Sequence, residues 1–211
     1  ENGPGFRKAF LRQSRAFPDE IADSAVQAVV ALRAALDQSC YAVSVLAGHT
    51  EPECCYFPFA KSESEIDNQI GKRSRQLPDD FKLLLRSFKS YGGGNDLLYA
   101  FNSVRNKGQH AFYLDISMQT VSARIQNKFE ADFVIGVVPN PQWDHAKREV
   151  LLATGRNYES HFRVKYEFAP TLINAGPLTG AKAFPTIREY RRTVEEIVED
   201  IKSYAAAYRA G

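Results

Sequence analysis

Residues 105–110 read Arg-Asn-Lys-Gly-Gln-His and set a fixed cation, an amide and an imidazole within six positions. An imidazole with an ordinary pKa of about 6.5 moves protons at neutral pH, and a guanidinium offers phosphate oxygens a planar fork. Arg105, Asn106 and His110 are therefore the candidate catalytic set, with Lys107 as a supporting cation. A purely structural account uses the same atoms. In it Arg105 caps carbonyls at a helix C-terminus, Lys107 is solvated, and His110 only ends the helix. In an ideal helix, residues five apart are turned by about 140° from each other. Arg105 and His110 thus converge only if the helix loosens near Gly108 or a second subunit completes the site.

Arg105-Asn106 followed by His110, on a segment preceded by an apolar-patterned helix, resembles the R-N-x-x-x-H signature of the HEPN superfamily. The resemblance implies an all-helical, commonly dimeric domain, in many members a metal-independent ribonuclease. It would make His110 the proton-transfer group, Arg105 the phosphate clamp and Asn106 the residue that orients them. A second resemblance runs through about residues 18–113. Pro18-Asp19-Glu20, Leu32 to Asp37, Tyr56-Phe57-Pro58-Phe59 and Asn95 to Asn102 are similar to an uncharacterised bacterial family with a helical N-terminal part followed by strands. That family usually carries Asp-Lys-His where this chain has the longer Arg105 to His110 run.

The 211 residues, 44% of them hydrophobic, suit one large domain or two closely packed subdomains. With 27 basic and 25 acidic residues the net charge is +2, so no global basic field exists and any RNA contact must be local. Cys40, Cys54 and Cys55 form an odd set whose adjacent pair is strained as a disulfide, which points to a reducing cytoplasm. No uninterrupted apolar run approaches the about 20 residues of a membrane-spanning helix, so no membrane role is expected.

Helices must deliver these residues. Ile21, Ala25, Val29, Leu32, Leu36, Cys40, Val43 and Leu46 recur at three- and four-residue steps, which predicts a long core-facing helix from about Asp19 to Ala47, stopped by Gly48. Residues 6–16 are read as a helix. Ser62-Glu63-Ser64-Glu65 reads as a capping box opening a short helix to about Arg75, and Pro78 opens another to about Ser90. Gly92-Gly93-Gly94 reads as a flexible connector, after which Asn95 or Asp96 caps the helix that carries the Arg105 motif.

Beyond His110 the apolar period drops to two. Residues 112–118, 120–126, 129–138, 149–154 and 162–168 predict strands, and a Gly/Pro-rich link from Pro170 to Ala183 precedes a last helix begun by Pro185. The expected fold is α+β: an N-terminal helical bundle over residues 1–110, then, over 111–211, an antiparallel β-meander and a C-terminal helix, packed as one domain.

Four other features carry side chains capable of chemistry. Arg33 and Asp37 form an i,i+4 pair that ordinarily braces a helix surface, though their place within an apolar stripe allows burial beside the Arg105 helix and a supporting role. His49, Glu51, Cys54 and Cys55 carry metal-capable atoms without the spacing that lets two ligands converge, so neither metal nor cofactor is expected. Trp143-Asp144-His145 follows two prolines and reads as a turn whose aromatic covers a sheet edge. Lys72-Arg73-Ser74-Arg75 and Arg188, Arg191, Arg192 are basic clusters able to guide RNA or simply to face solvent. The functional expectation is a HEPN-like, metal-independent RNA-cleaving or RNA-binding homodimer. Its rival is a non-catalytic module for a small ligand or an unidentified protein partner.

Overall fold

The computed structural model of the protein describes residues 6–12, 18–106, 115–125, 135–137, 143–144, 147, 149–156, 164–173 and 175–210. Their order is β1 (Phe6–Arg12), α1 (Asp19–Leu46), α2 (Glu63–Arg73), α3 (Asp79–Ser87), α4 (Asp96–Asn106), β2 (Asp115–Ile125), β3 (Ile135–Val137), β4 (Trp143–Asp144), β5 (Glu149–Arg156), β6 (Val164–Ile173) and α5 (Ala183–Ala210). The fold is α+β: strand β1, then helices α1 to α4, then strands β2 to β6, then the closing helix α5. The described chain divides into two compact units that interleave along the sequence. One holds residues 1–18 and 116–171; the other holds residues 19–115 and 172–211.

In the strand unit, β5 is central. Residues 6–12, read from sequence as helix, instead form β1 and pair antiparallel with β5 from Phe6 opposite Arg156 to Arg12 opposite Glu149. Phe6 and Phe10, four apart, suit one face of a helix and one face of a strand alike, and a partner some 140 residues away decides the conformation. The same pairing is tied at its end by Arg12, whose Nη2 lies 2.8 Å from the Glu149 carboxylate. On the other edge β3 and β4 both pair antiparallel with β5. From Val137 to Trp143 the edge advances six residues while β5 advances only three, from Ala153 back to Val150. Trp143, expected in a turn, belongs to β4 at that edge. The two strands expected at 112–118 and 120–126 are one, β2, which pairs with β6.

In the helical unit α1 packs against α5, so the closing helix returns to the helices. Ala25, Val29, Leu36, Cys40 and Val43 are buried as the stripe predicts. Ile21 is exposed, and Arg33 takes a buried place in the stripe. The Phe101 ring of α4 stacks on Tyr190 of α5 with centroids 4.2 Å apart. Tyr204, further along α5, donates to Asp80 of α3 at 2.7 Å and lies against Phe81.

Helix α1 bears on the membrane expectation. An 18-residue window with at most two charged residues reaches a mean hydropathy of 1.3, so α1 is long and apolar enough to cross a bilayer by length and composition. Arg33 and Asp37 cut the uninterrupted apolar runs short but do not lower the average enough to exclude such a window. Core helices of soluble proteins have the same composition, and α1 buries its stripe within this unit.

Two local expectations resolve differently. Asn95 caps α4, its Oδ1 accepting the Leu98 N–H at 3.1 Å. Ser62 makes no such cap for α2: its hydroxyl lies 3.0 Å from that of Ser64, and Glu65 reaches the Lys61 N–H instead. Gly92-Gly93-Gly94 is a tightly built turn and not a flexible connector. Gly93 holds φ +83 and donates to Asp96, while a Cβ on Gly94 would stand 2.6 Å from the Lys89 carbonyl oxygen. Only glycine fits such a position without displacing backbone.

Candidate functional site

Arg33 is 4% exposed, a rare placement for a guanidinium without partners. Its Nη1 lies 2.5 Å from Asp37 Oδ1, one helical turn away. Its Nη2 donates to the Phe57 carbonyl at 3.4 Å, and its guanidinium sits 4.4 Å above the centre of the Phe59 ring. Asp37 Oδ1 in turn accepts the Phe57 N–H at 3.0 Å. The two charges therefore grip one residue's backbone from both sides, carbonyl to cation and N–H to anion. The surface brace expected of an i,i+4 pair is instead a buried clamp on a segment 20 residues further along.

That segment, Cys55 to Ala60, runs extended through the helical unit, with its backbone groups met by side chains and by other loops. Ser74 Oγ donates to the Tyr56 carbonyl at 2.8 Å, Ser90 Oγ to the Pro58 carbonyl at 2.6 Å, and the Tyr56 N–H to the Arg73 carbonyl at 2.8 Å. Among the described residues, only Ala60 of this segment has a strand-type partner, a parallel bridge to Tyr91, so the rest of this backbone needs such accounting. Phe57 is fully buried and packs on Phe59 and Phe88.

The electrostatics favour a fixed, unreactive centre. Burial first, and the nearby Asp37 charge second, push the Cys40 thiol far above its ordinary value near 9. Cys55 shifts the same way, through burial, Cys54 and Asp37. A thiol held protonated is a poor nucleophile and a poor metal ligand. Arg33 Nε is buried without a hydrogen-bond acceptor among the described residues, so the cation depends on Asp37, Phe57 and Phe59. As arranged, the pair orders the Phe57-Pro58-Phe59 segment.

The sequence-predicted catalytic set is only partly placed. Arg105 and Asn106 are in the last turn of α4, and α4 lies against α1, the helix carrying Arg33 and Asp37. The side chains of Arg105 and Asn106, and all of Lys107 to His110, lie outside the described residues. In the loop from His49 to Cys55, Gln76 Oε1 accepts the N–H groups of Glu53 and Cys54 at 2.6 and 3.0 Å. Among the described residues no three His, Cys, Asp or Glu side chains converge to hold a metal ion.

Phe57 and Phe59 are the partners that sequence reasoning missed. The available signal was Arg33 itself, one turn beyond Val29 inside a buried stripe: a charge at such a position needs an acceptor and an aromatic face from elsewhere. Comparison of the chain with protein-family models, curated proteins and solved structures finds no match.

Proposed function

We propose that the protein is an RNA-binding domain with metal-independent RNA-cleaving activity, in which His110 transfers the proton of an RNA 2′-hydroxyl, Arg105 stabilises charge on the phosphate, and Asn106 orients them. The observation that carries this reading is the Arg105 to His110 sequence continuing from α4, the helix that packs on α1 and α5. Free Cys40, Cys54 and Cys55 support a cytoplasmic setting. RNA cleavage is expected to persist in excess chelator and to fall by roughly 100-fold or more in His110→Ala at unchanged melting temperature. Cleavage by His110→Ala equal to that of the unaltered protein removes the mechanism.

A homodimer through the N-terminal helices belongs to the same reading, since a second subunit would complete a site whose cation and imidazole are five residues apart. Tyr41 and Val45, one turn apart, are exposed on α1 and suit that contact. Sedimentation equilibrium should give twice the chain mass at micromolar concentration; a monomer argues against it. One observation favours the rival, a non-catalytic module for a small ligand or a protein partner. A groove of about 320 Å³ opens between α1 and α5, lined by Ala35, Ala42, Val43, Val198, Ile201 and Ala205. Thermal-shift screening against nucleotides and small apolar ligands separates the two, because stabilisation by an apolar ligand with no RNA cleavage supports the rival.

A further inference from the structure

We propose that Tyr56, Gly71, Lys72, Arg73 and Arg75 form a docking face for single-stranded RNA. The proposal deepens the RNA reading by naming a binding surface away from the Arg105 motif, and it rests on that reading for the class of ligand. Its basis is a juxtaposition of chain segments that are distant in sequence. The loop through Tyr56 is bonded along the end of α2: the Tyr56 N–H donates to the Arg73 carbonyl at 2.8 Å, Ser74 Oγ donates to the Tyr56 carbonyl at 2.8 Å, and the Gln76 N–H donates to the Cys54 carbonyl at 3.2 Å. Both backbone polar groups of Tyr56 are thus held, while its side chain is half exposed at 50% between buried Cys55 and Phe57. An aromatic ring on fixed backbone, facing water, is a stacking platform.

Beside it, Lys72, Arg73 and Arg75 are exposed, and none has an ion-pair partner among the described residues. Elsewhere in the helical unit the exposed Arg86, Arg191, Arg192 and Lys202 are paired with Asp67, Glu195, Glu196 and Glu199, while Lys61, Lys89, Arg188 and Arg209 are exposed with no ion pair among the described residues. Cations in a last helical turn do complement the helix dipole. That accounts for Lys72 and Arg73, but it explains neither the exposed ring nor Gly71.

Gly71 lies three residues before Ser74, on the side of α2 that meets Tyr56. It is exposed, has no positive φ, and a Cβ there would meet nothing within 4 Å. Glycine weakens a helix, and neither packing nor backbone conformation requires it here. A missing Cβ lets a sugar-phosphate chain approach the helix backbone closely. Phosphates would then lie along Lys72, Arg73 and Arg75 while a base stacks on Tyr56, which needs an unstacked strand, since duplex bases present no free face.

The test is fluorescence anisotropy with the full chain and a labelled mixed-sequence RNA of roughly 12 nucleotides, with chelator present. The unaltered protein is expected to bind this RNA. Tyr56→Ala should weaken binding roughly tenfold and Tyr56→Phe should restore it. The double variant Arg73→Ala/Arg75→Ala should lower the slope of log affinity against log salt by about 0.7 for each phosphate no longer neutralised. Gly71→Ala should raise the melting temperature while weakening binding. Retention of affinity within twofold by Tyr56→Ala and by the double arginine variant overturns the proposal, as does equal competition by duplex RNA or by anionic phosphatidylserine vesicles. If the RNA is bound with these dependences but never cleaved, the catalytic reading falls and this face stands. If it is cleaved with no effect of these substitutions, the reverse holds.

Discussion

Asp37 compensates the charge of the buried Arg33. Removing one member of a buried ion pair leaves the other uncompensated and typically costs about 3–5 kcal/mol, whereas replacing both by neutral groups of similar volume is far milder. Asp37→Ala should therefore destabilise the protein by about 3–5 kcal/mol in urea unfolding, and Arg33→Met/Asp37→Asn by clearly less. A double variant as unstable as Asp37→Ala would mean that the pair contributes more than mutual compensation. The thiols make a second residue-scale prediction. Cys40 and Cys55 have folded pKa values raised above the ordinary value near 9, so above that pH the unfolded chain releases protons that the folded chain retains. Fewer protons on the unfolded state make stability fall as pH rises, by up to about 1.4 kcal/mol per pH unit for each group. The loss should begin near pH 9, be absent at neutral pH, and become shallower in Cys40→Ala. A slope unchanged in that variant excludes Cys40 as its source. In the folded protein, Cys40 should also resist alkylation that reaches it after unfolding, as read by mass spectrometry of digests.

Among the elements, the glycines separate conformation from function. Gly94→Ala forces a Cβ to within 2.6 Å of the Lys89 carbonyl oxygen and within 2.7 Å of the Tyr91 ring, and should cost about 1–3 kcal/mol. Gly71→Ala adds a helix-favouring residue in open space and should stabilise α2 by up to about 1 kcal/mol. Opposite signs in paired thermal melts are the expected outcome; equal destabilisation would mean that Gly71 has a packing role. How far elements can be read from sequence follows from their range. Helix α1 and the Asn95 cap were legible because their signals lie within one or two turns. The Ser62 box failed because a hydroxyl three residues from its target found Ser64 instead, a competition that spacing does not rank.

For the molecule as a whole, the α4–α5 contact through Phe101 and Tyr190 ties the Arg105 helix to the closing helix. Tyr190 is fully buried and stacked, so Tyr190→Ala should cost about 3–5 kcal/mol and reduce any activity that depends on the placement of α4, whereas Tyr190→Phe should keep most of the packing. Denaturation midpoints of the two variants check this. A second prediction at this scale concerns metal. With poor spacing in the His49 to Cys55 loop and thiols held protonated at Cys40 and Cys55, elemental analysis of the purified protein should find no stoichiometric zinc. About one zinc per chain would move the functional centre to that loop.

The sequence by itself determined the helical stripe of α1, the closing helix, the alternation of β6 as far as Phe168, the α+β order and the chemical character of the Arg105 to His110 run; β6 continues to Ile173 where a link was expected from Pro170. Each is written in residues a few positions apart, where the periods of helix and strand act directly. Only the tertiary structure decided that Phe6–Arg12 is a strand, that Gly92 to Gly94 is a rigid turn, and that Arg33 and Asp37 close on the Phe57 backbone. The partners of β1 and of the Arg33–Asp37 pair stand some 140 and 20 residues away in the chain, and a Cβ on Gly92 would stand 2.8 Å from the Lys61 carbonyl oxygen, some 30 residues back. No local spacing specifies such partners: they are selected when apolar burial brings segments together and every backbone group or charge trapped between them must find a counterpart.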